Sequence, residues 1–200
     1  MSSIPEPRLD WAVERCKRGD RNAYRAIADA YSDRLFRIAV LITRDQQLAE
    51  DAMQEALVRG WQNINRLRDG TKLGAWLNRI LLNEVKKQTK RKRHPESPID
   101  DARNVRDPGL APDESVLNTE IAAHLRVVLD HLNQDQRTAV VLRFYLDYTV
   151  PEIAEATGWA EGTIKSRLNR AMRTLKQAVG PELVDRRAPQ TPEIRGEATS

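Results

Sequence analysis

Two hundred residues, 40% hydrophobic and 31% charged with a net charge of +4, suffice for one or two domains with modest cores. The longest apolar run, residues 38–42, falls far short of the roughly 20 apolar residues of a membrane span, and the first ten residues lack the apolar stretch of a secretory signal. A single cysteine, Cys16, excludes an intramolecular disulfide and argues against a thiolate zinc site, so a cytoplasmic location is expected.

Pro5 and Pro7 mark a loose start. A short helix is predicted over residues 9–17, ended by Gly19. Tyr24, Ile27, Tyr31, Leu35, Ile38 and Ile42 then recur at spacings of three and four, the pattern of an amphipathic helix. Residues 45–67 repeat it through Leu48, Ala52, Ala56, Trp61 and Ile64. A third long stripe runs through Leu73, Trp76, Leu77, Ile80, Leu81 and Val85. No strand-like alternation interrupts them. Three stripes must bury their faces against one another, so the first half reads as a helical bundle ending near Arg93.

Residues 94–114 hold Pro95, Pro98, Pro108 and Pro112 among polar residues without apolar periodicity, and read as a flexible linker. Four shorter helices follow. The first, over residues 115–131, carries Ile121, Leu125, Val128 and Leu132 on its stripe. Asn133 and Gln136 form a capping pair that opens the second, through Leu146. Thr149 and Glu152 open the third, with Pro151 in the first turn, where its missing N–H costs little. Gly158 ends it, and the fourth covers residues 161–179. Pro181, Pro189 and Pro192 lie in a polar tail. The predicted fold is all-α: helical domains over 1–93 and 115–179, a flexible linker over 94–114, and a disordered tail over 180–200.

The charge is unevenly spread. Lys86, Lys87, Lys90, Arg91, Lys92 and Arg93 carry +6 in eight residues, while Lys165, Arg167, Arg170, Arg173 and Lys176 face one acid, Glu161. The remainder of the chain is net −6. Two basic sites on an acidic chain are the footprint of a nucleic-acid binder, although solvated helix faces would read the same way. The second site lies on a helix-turn-helix. Ile153 and Ala154 can pack against Ile164 and Leu168, and Gly158 takes the turn. In such motifs the second helix enters the major groove and its N-terminal residues reach base edges. Base contact accordingly falls to Lys165, Ser166 and Asn169. Arg170 and Arg173 suit phosphates, with Thr163 helping at the helix start. Arg167 suits either DNA or an intrahelical partner.

The ordered residues Glu152-Ile153-Ala154, Gly158, Gly162-Thr163-Ile164-Lys165-Ser166-Arg167-Leu168 and Arg170-Ala171 closely resemble the C-terminal domain of sigma factors of the extracytoplasmic-function (ECF) group of the sigma-70 family. Leu132-Asn133-Gln134-Asp135-Gln136-Arg137 and Val140-Val141-Leu142-Arg143 fit the same pattern. Asp33-Arg34-Leu35, residues 49–61, Ala75-Trp76-Leu77, Arg79-Ile80 and Asn83 resemble the N-terminal domain of that family. The resemblance covers roughly residues 20–93 and 115–178 in the family's order.

It implies a promoter-recognition subunit of RNA polymerase. The second domain would read the −35 element; the first would bind core polymerase and the −10 element and assist local melting. The implied partners are core RNA polymerase (the clamp helices of its largest subunit and its flap region), promoter DNA and an anti-sigma factor; the implied setting is a stress response. Asp51, Gln54, Glu55 and Arg59 are the clamp-helix contacts by resemblance. Glu50, Asp51, Gln54 and Glu55, taken as the first turns of a helix, also suit its dipole, and both readings can hold. Residues 66–73, turning at Asp69-Gly70, resemble the loop that captures a flipped-out −10 base, with Arg68, Asp69, Lys72 and Asn78 as candidates. Lys86, Lys87 and Lys90 would grip phosphates in a salt-dependent manner. Trp61 and Trp76 fit apolar stripes and read as core. The chain departs from the family at Ala160, where relatives usually carry serine or proline and where alanine cannot cap the recognition helix, and at Asn78, where relatives often carry an aromatic.

No glycine-rich phosphate loop, nucleophile–base arrangement or metal spacing is present; His94, His124 and His131 read as surface or packing residues and Cys16 as a half-buried one. No cofactor and no catalysis are expected: the chain lends specificity to an enzyme. Two alternatives compete. A stand-alone helix-turn-helix regulator would occupy an operator as a dimer and lack a polymerase-docking helix. A nucleic-acid-modifying enzyme would need a catalytic constellation.

Overall fold

Local side chains start and stop the helices of the computed structural model, which describes residues 9–93 and 129–179. Helix α1 (Asp10–Lys17) ends just before Gly19 turns with φ +89°. Helix α2 (Arg21–Thr43) begins on Asp20, whose carboxylate accepts the Asn22 and Ala23 N–H groups at 2.9 and 3.1 Å. Arg44 closes it in left-handed backbone, and Asp45 caps α3 (Gln46–Asn63) by accepting the Leu48 N–H at 3.0 Å. Two short 3-10 turns, Ile64–Arg66 and Gly70–Lys72, lead into α4 (Leu73–Arg93). Helices α5 (Gln134–Val140) and α6 (Val150–Thr157) each open on the expected capping box, Asn133 with Gln136 and Thr149 with Glu152. Helix α5 widens into a π turn over Val141–Tyr145, and α7 spans Glu161–Val179. Every regular element among the described residues is helical. The expected linker 94–114, most of the helix over 115–131 with Ile121, Leu125 and Val128, the tail 180–200, and His94 and His124 lie outside the described residues.

The bundle of the first half follows its stripes. Ile27, Tyr31, Leu35, Ile38 and Ile42 are buried along α2. Helix α3 answers with Ala49, Ala52 and Ala56, small residues that bring the backbones close. Gly60 carries this furthest: a Cβ there would stand 2.6 Å from the Tyr24 hydroxyl oxygen and 3.0 Å from Leu77. That hydroxyl donates to the Leu57 carbonyl, and the Tyr24 ring tilts against Trp61 with centroids 5.2 Å apart. Leu73, Leu77, Leu81 and Val85 of α4 complete the core. Each such aliphatic contributes roughly 1.5–3 kcal/mol by burial. Cys16 is fully rather than half buried, and burial pushes its thiol up, with the Asp20 charge adding to the effect.

The second half does not keep its core to itself. Leu142, Ile153, Ala156 and Ile164 are buried in the same cluster as the side chains of α2 and α4, and α6 packs along α4. Leu129, Leu132, Val140 and Ala171 form a smaller cluster, against which Leu41 of α2 also packs. Short helices bury little apolar surface alone, and α4 supplies the remainder.

Candidate nucleic-acid interface

Helices α6 and α7 form the helix-turn-helix. The Thr149 N–H and hydroxyl both donate to Glu152 Oε2, at 2.7 and 2.6 Å. These bonds, the hydroxyl's first, hold the Glu152 carboxyl below its ordinary range. Gly158 takes φ +73° and donates its N–H to the Ala154 carbonyl at 2.8 Å. Ile164 and Ala171 anchor α7 in the two apolar clusters. Thr163, Lys165, Asn169, Arg170 and Arg173 are exposed and Ser166 is half-buried. Positions 166, 169, 170 and 173 follow the spacing of one helix face, so a single outward surface carries them. Lys165 lies 3.7 Å from Glu161, which tethers it lightly at the helix start.

Arg167 turns the other way. Its partner is neither DNA-facing nor intrahelical: the guanidinium meets the Asp135 carboxylate of α5 at 2.6 Å and lies 3.8 Å from the centre of the Trp159 ring. Trp159 itself is half-buried. Ala160, unable to cap with its side chain, ends the turn that starts at Gly158 and directly precedes α7, and the Trp159–Arg167 stack lies beside it.

In the first half, Arg68, Asp69 and Lys72 are exposed around the second 3-10 turn. The Asp69 carboxylate accepts the Thr71 hydroxyl and N–H at 2.6 and 3.0 Å, in that order the causes that hold it below the usual carboxylate range. Asn78 does not join them. It is 1% exposed and donates from Nδ2 to the Tyr148 hydroxyl of the second half at 2.9 Å. Its position on the core side of α4, between Leu77 and Arg79, accounts for the burial. Lys86, Lys87 and Lys90 are exposed along α4. Beneath them lies Glu84, 4% exposed, which receives Arg59 at 2.7 Å and Lys87 at 3.5 Å.

Helix α3 begins at Gln46, so Glu50 and its neighbours lie beyond the first turn, and the helix-dipole account of them fails. Asp51 and Gln54 are exposed, linked to Gln47 and Glu50 by hydrogen bonds of 3.2 Å. Glu55 and Arg59 are half-buried, and Arg59 bridges Glu55 at 2.9 Å as well as Glu84. Sequence reading missed Val58, half-exposed among them, and Glu84; an apolar residue at a position outside the stripe was the available signal for Val58. Trp61 and Trp76 are both half-buried and packed against the core, as expected.

No group of three or more metal-ligating side chains occurs among the described residues. Residues 27–94 match the family described as Sigma-70 region 2, and residues 122–175 the one described as Sigma-70, region 4. The ECF RNA polymerase sigma factor SigM of Mycobacterium tuberculosis is 31% identical over 163 residues, covering 81% of this chain and 80% of its own length. The RNA polymerase sigma-H factor of Pseudomonas aeruginosa is 29% identical over 180 residues, 86% of this chain and 93% of its own. Among solved structures, the sigma factor RpoE bound to the anti-sigma factor NepR from Bartonella quintana shares the fold with a TM-score of 0.58, at 24% identity over 76% of this chain and 92% of that one. CnrH in complex with the cytosolic domain of CnrY does so with a TM-score of 0.57, at 18% identity over 91% of this chain and 100% of that one.

Proposed function

Because this chain belongs to the extracytoplasmic-function group of the sigma-70 family, subunits that bind core RNA polymerase and direct it to promoters without being enzymes themselves, we propose that three of its surfaces divide that work. The outward face of α7 reads the −35 element, with Lys165, Ser166 and Asn169 at base edges and Thr163, Arg170 and Arg173 on phosphates. Arg167 acts from behind, through Asp135 and Trp159. Arg68, Asp69 and Lys72 form the rim that receives an extruded −10 base, with Asn78 entering once Tyr148 leaves it. Lys86, Lys87 and Lys90 hold backbone phosphates. Asp51, Gln54 and Val58 dock on the polymerase clamp helices, with Glu55 and Arg59 fixing the helix behind them, and the second half meets the flap region.

The carrying observation is the single exposed face of α7, with Asn169, Arg170 and Arg173 outward while Ile164 and Ala171 are buried. The operator-binding alternative needs no docking helix, yet the match to Sigma-70 region 2 spans α3. An anti-sigma protein is the expected regulator, and the place of action is the cytoplasm, with polymerase at the nucleoid. No described helix is long and apolar enough to cross a membrane.

The test is a binding assay on paired variants. Asp51→Ala with Gln54→Ala should abolish capture by core polymerase and leave circular dichroism unchanged. Asn169→Ala should leave capture intact and weaken promoter selectivity at one base pair. The reverse pattern would contradict the division.

A further inference from the structure

A carboxylate lies buried in the seam between α3 and α4. Glu84 stands on the stripe that Leu77, Leu81 and Val85 fill, at a spacing where an aliphatic side chain would complete the core, and it is 4% exposed. Taking a carboxylate out of water there is costly, and an apolar residue of the same volume often holds such a seam as well or better. A role other than packing therefore accounts best for its presence.

Its two oxygens serve different helices. Oε1 lies 2.7 Å from Arg59 Nε of α3, which also stands 2.9 Å from Glu55 Oε1. Oε2 is buried with no hydrogen-bond partner among the described residues, and the Lys87 ammonium, one turn along α4, is 3.5 Å from it. The charges thus alternate across the seam: Glu55, Arg59, Glu84, Lys87. One end of the row belongs to the face of α3 assigned to the clamp helices, the other to the lysines assigned to phosphates.

The two contacts of Glu84 differ in kind. The Arg59 contact is short and charge-assisted, made to a buried acceptor, and fixes a long side chain across the seam. The Lys87 contact is loose, and the ammonium remains free to move. The carboxylate still subtracts from the positive potential at Lys87, because on its buried side water screens it little.

We propose that Glu84 is a positioning residue with two effects of opposite sign. By pinning Arg59 it sets the docking face of α3 for polymerase, and by holding back Lys87 it weakens that lysine's grip on promoter phosphate. The proposal rests on the assignment of α3 to polymerase and of the α4 lysines to DNA. A residue that merely supported the fold could not separate the two effects, since a loosened seam weakens both surfaces.

The test uses the full chain carrying Glu84→Gln or Glu84→Met, the second removing the charge without leaving a buried amide. Affinity for core polymerase, read by titration of labelled chain, should fall about fivefold. Holoenzyme formed with saturating chain should bind a promoter fragment, chosen by run-off transcription, about two- to threefold more tightly at low salt, the gain fading as salt rises. Adding Lys87→Ala should remove that gain and leave core affinity where Glu84→Gln put it. Adding Arg59→Ala to Glu84→Gln should weaken core binding no further than Arg59→Ala alone. Unchanged core affinity, or a fall in both affinities, in the two Glu84 variants overturns the proposal and leaves the surfaces standing. Core capture retained by Asp51→Ala with Gln54→Ala, or promoter affinity unchanged by Lys87→Ala in the parent chain, brings down the assigned surface and the proposal with it.

Discussion

Arg167 and Asp135 meet at 2.6 Å across 32 residues of sequence, joining the recognition helix to the helix before the motif. With Trp159 stacked on the same guanidinium, the contact fixes the angle at which α7 is presented. An exposed ion pair contributes about 0.2–1 kcal/mol, and the cation–π contact about 0.5–1 kcal/mol. Arg167→Ala should therefore lower unfolding stability by about 1–2 kcal/mol in urea, whereas Arg167→Lys should recover only part of it. A variant as stable as the parent would remove the strut from the account.

Gly60 is the tightest point of the first half. Gly60→Ala sets a methyl carbon 2.6 Å from the Tyr24 hydroxyl oxygen, which is held by the Leu57 carbonyl. The expected cost is about 1–3 kcal/mol, read as a lower Tm by circular dichroism. Gly60→Ala combined with Tyr24→Phe should recover part of the loss by removing the hydroxyl.

Acid should loosen helix starts before it loosens the core. The Ala23 N–H and Arg15 hold the Asp20 carboxyl below 3.8, and Thr149 holds Glu152 below 4.5. A carboxyl whose folded pKa is depressed contributes stability that is present above its unfolded value and lost as pH falls through the folded one. Helicity at the starts of α2 and α6 should therefore fray below about pH 4.5. Thr149→Ala should cost about 1 kcal/mol near neutral pH, and its stability should depend less on pH across this window.

Phosphate and base contacts separate by salt. Each of Lys86, Lys87 and Lys90 that grips a duplex phosphate should lower the slope of log K against log salt by about 0.9 when replaced by alanine, with little change in promoter preference. Asn169→Ala should leave the slope alone and cost about 1–3 kcal/mol of discrimination at one base pair. Filter binding of holoenzyme over a salt series measures both.

What could be read from the sequence was local. The capping boxes at Asn133 and Thr149 need only a partner three residues on, and the α2 stripe needs only periodicity; both appear as expected. The helix-turn-helix is local as well. What could not be read depends on partners far along the chain. Asn78 meets Tyr148 across 70 residues, and Arg59 reaches a buried Glu84 on the next helix. No spacing rule signals either. The helix-dipole reading of Glu50 failed on reach rather than on the boundary: α3 opens at Asp45, where the stripe begins, and Glu50 already lies past its first turn.

Run-off transcription with core RNA polymerase over a pool of genomic promoter fragments, with and without this protein, tests the central claim most directly. Transcripts that depend on the protein, and whose start sites share two aligned upstream elements, are the predicted result. DNA binding without any protein-dependent transcript would contradict it and restore the operator-binding regulator.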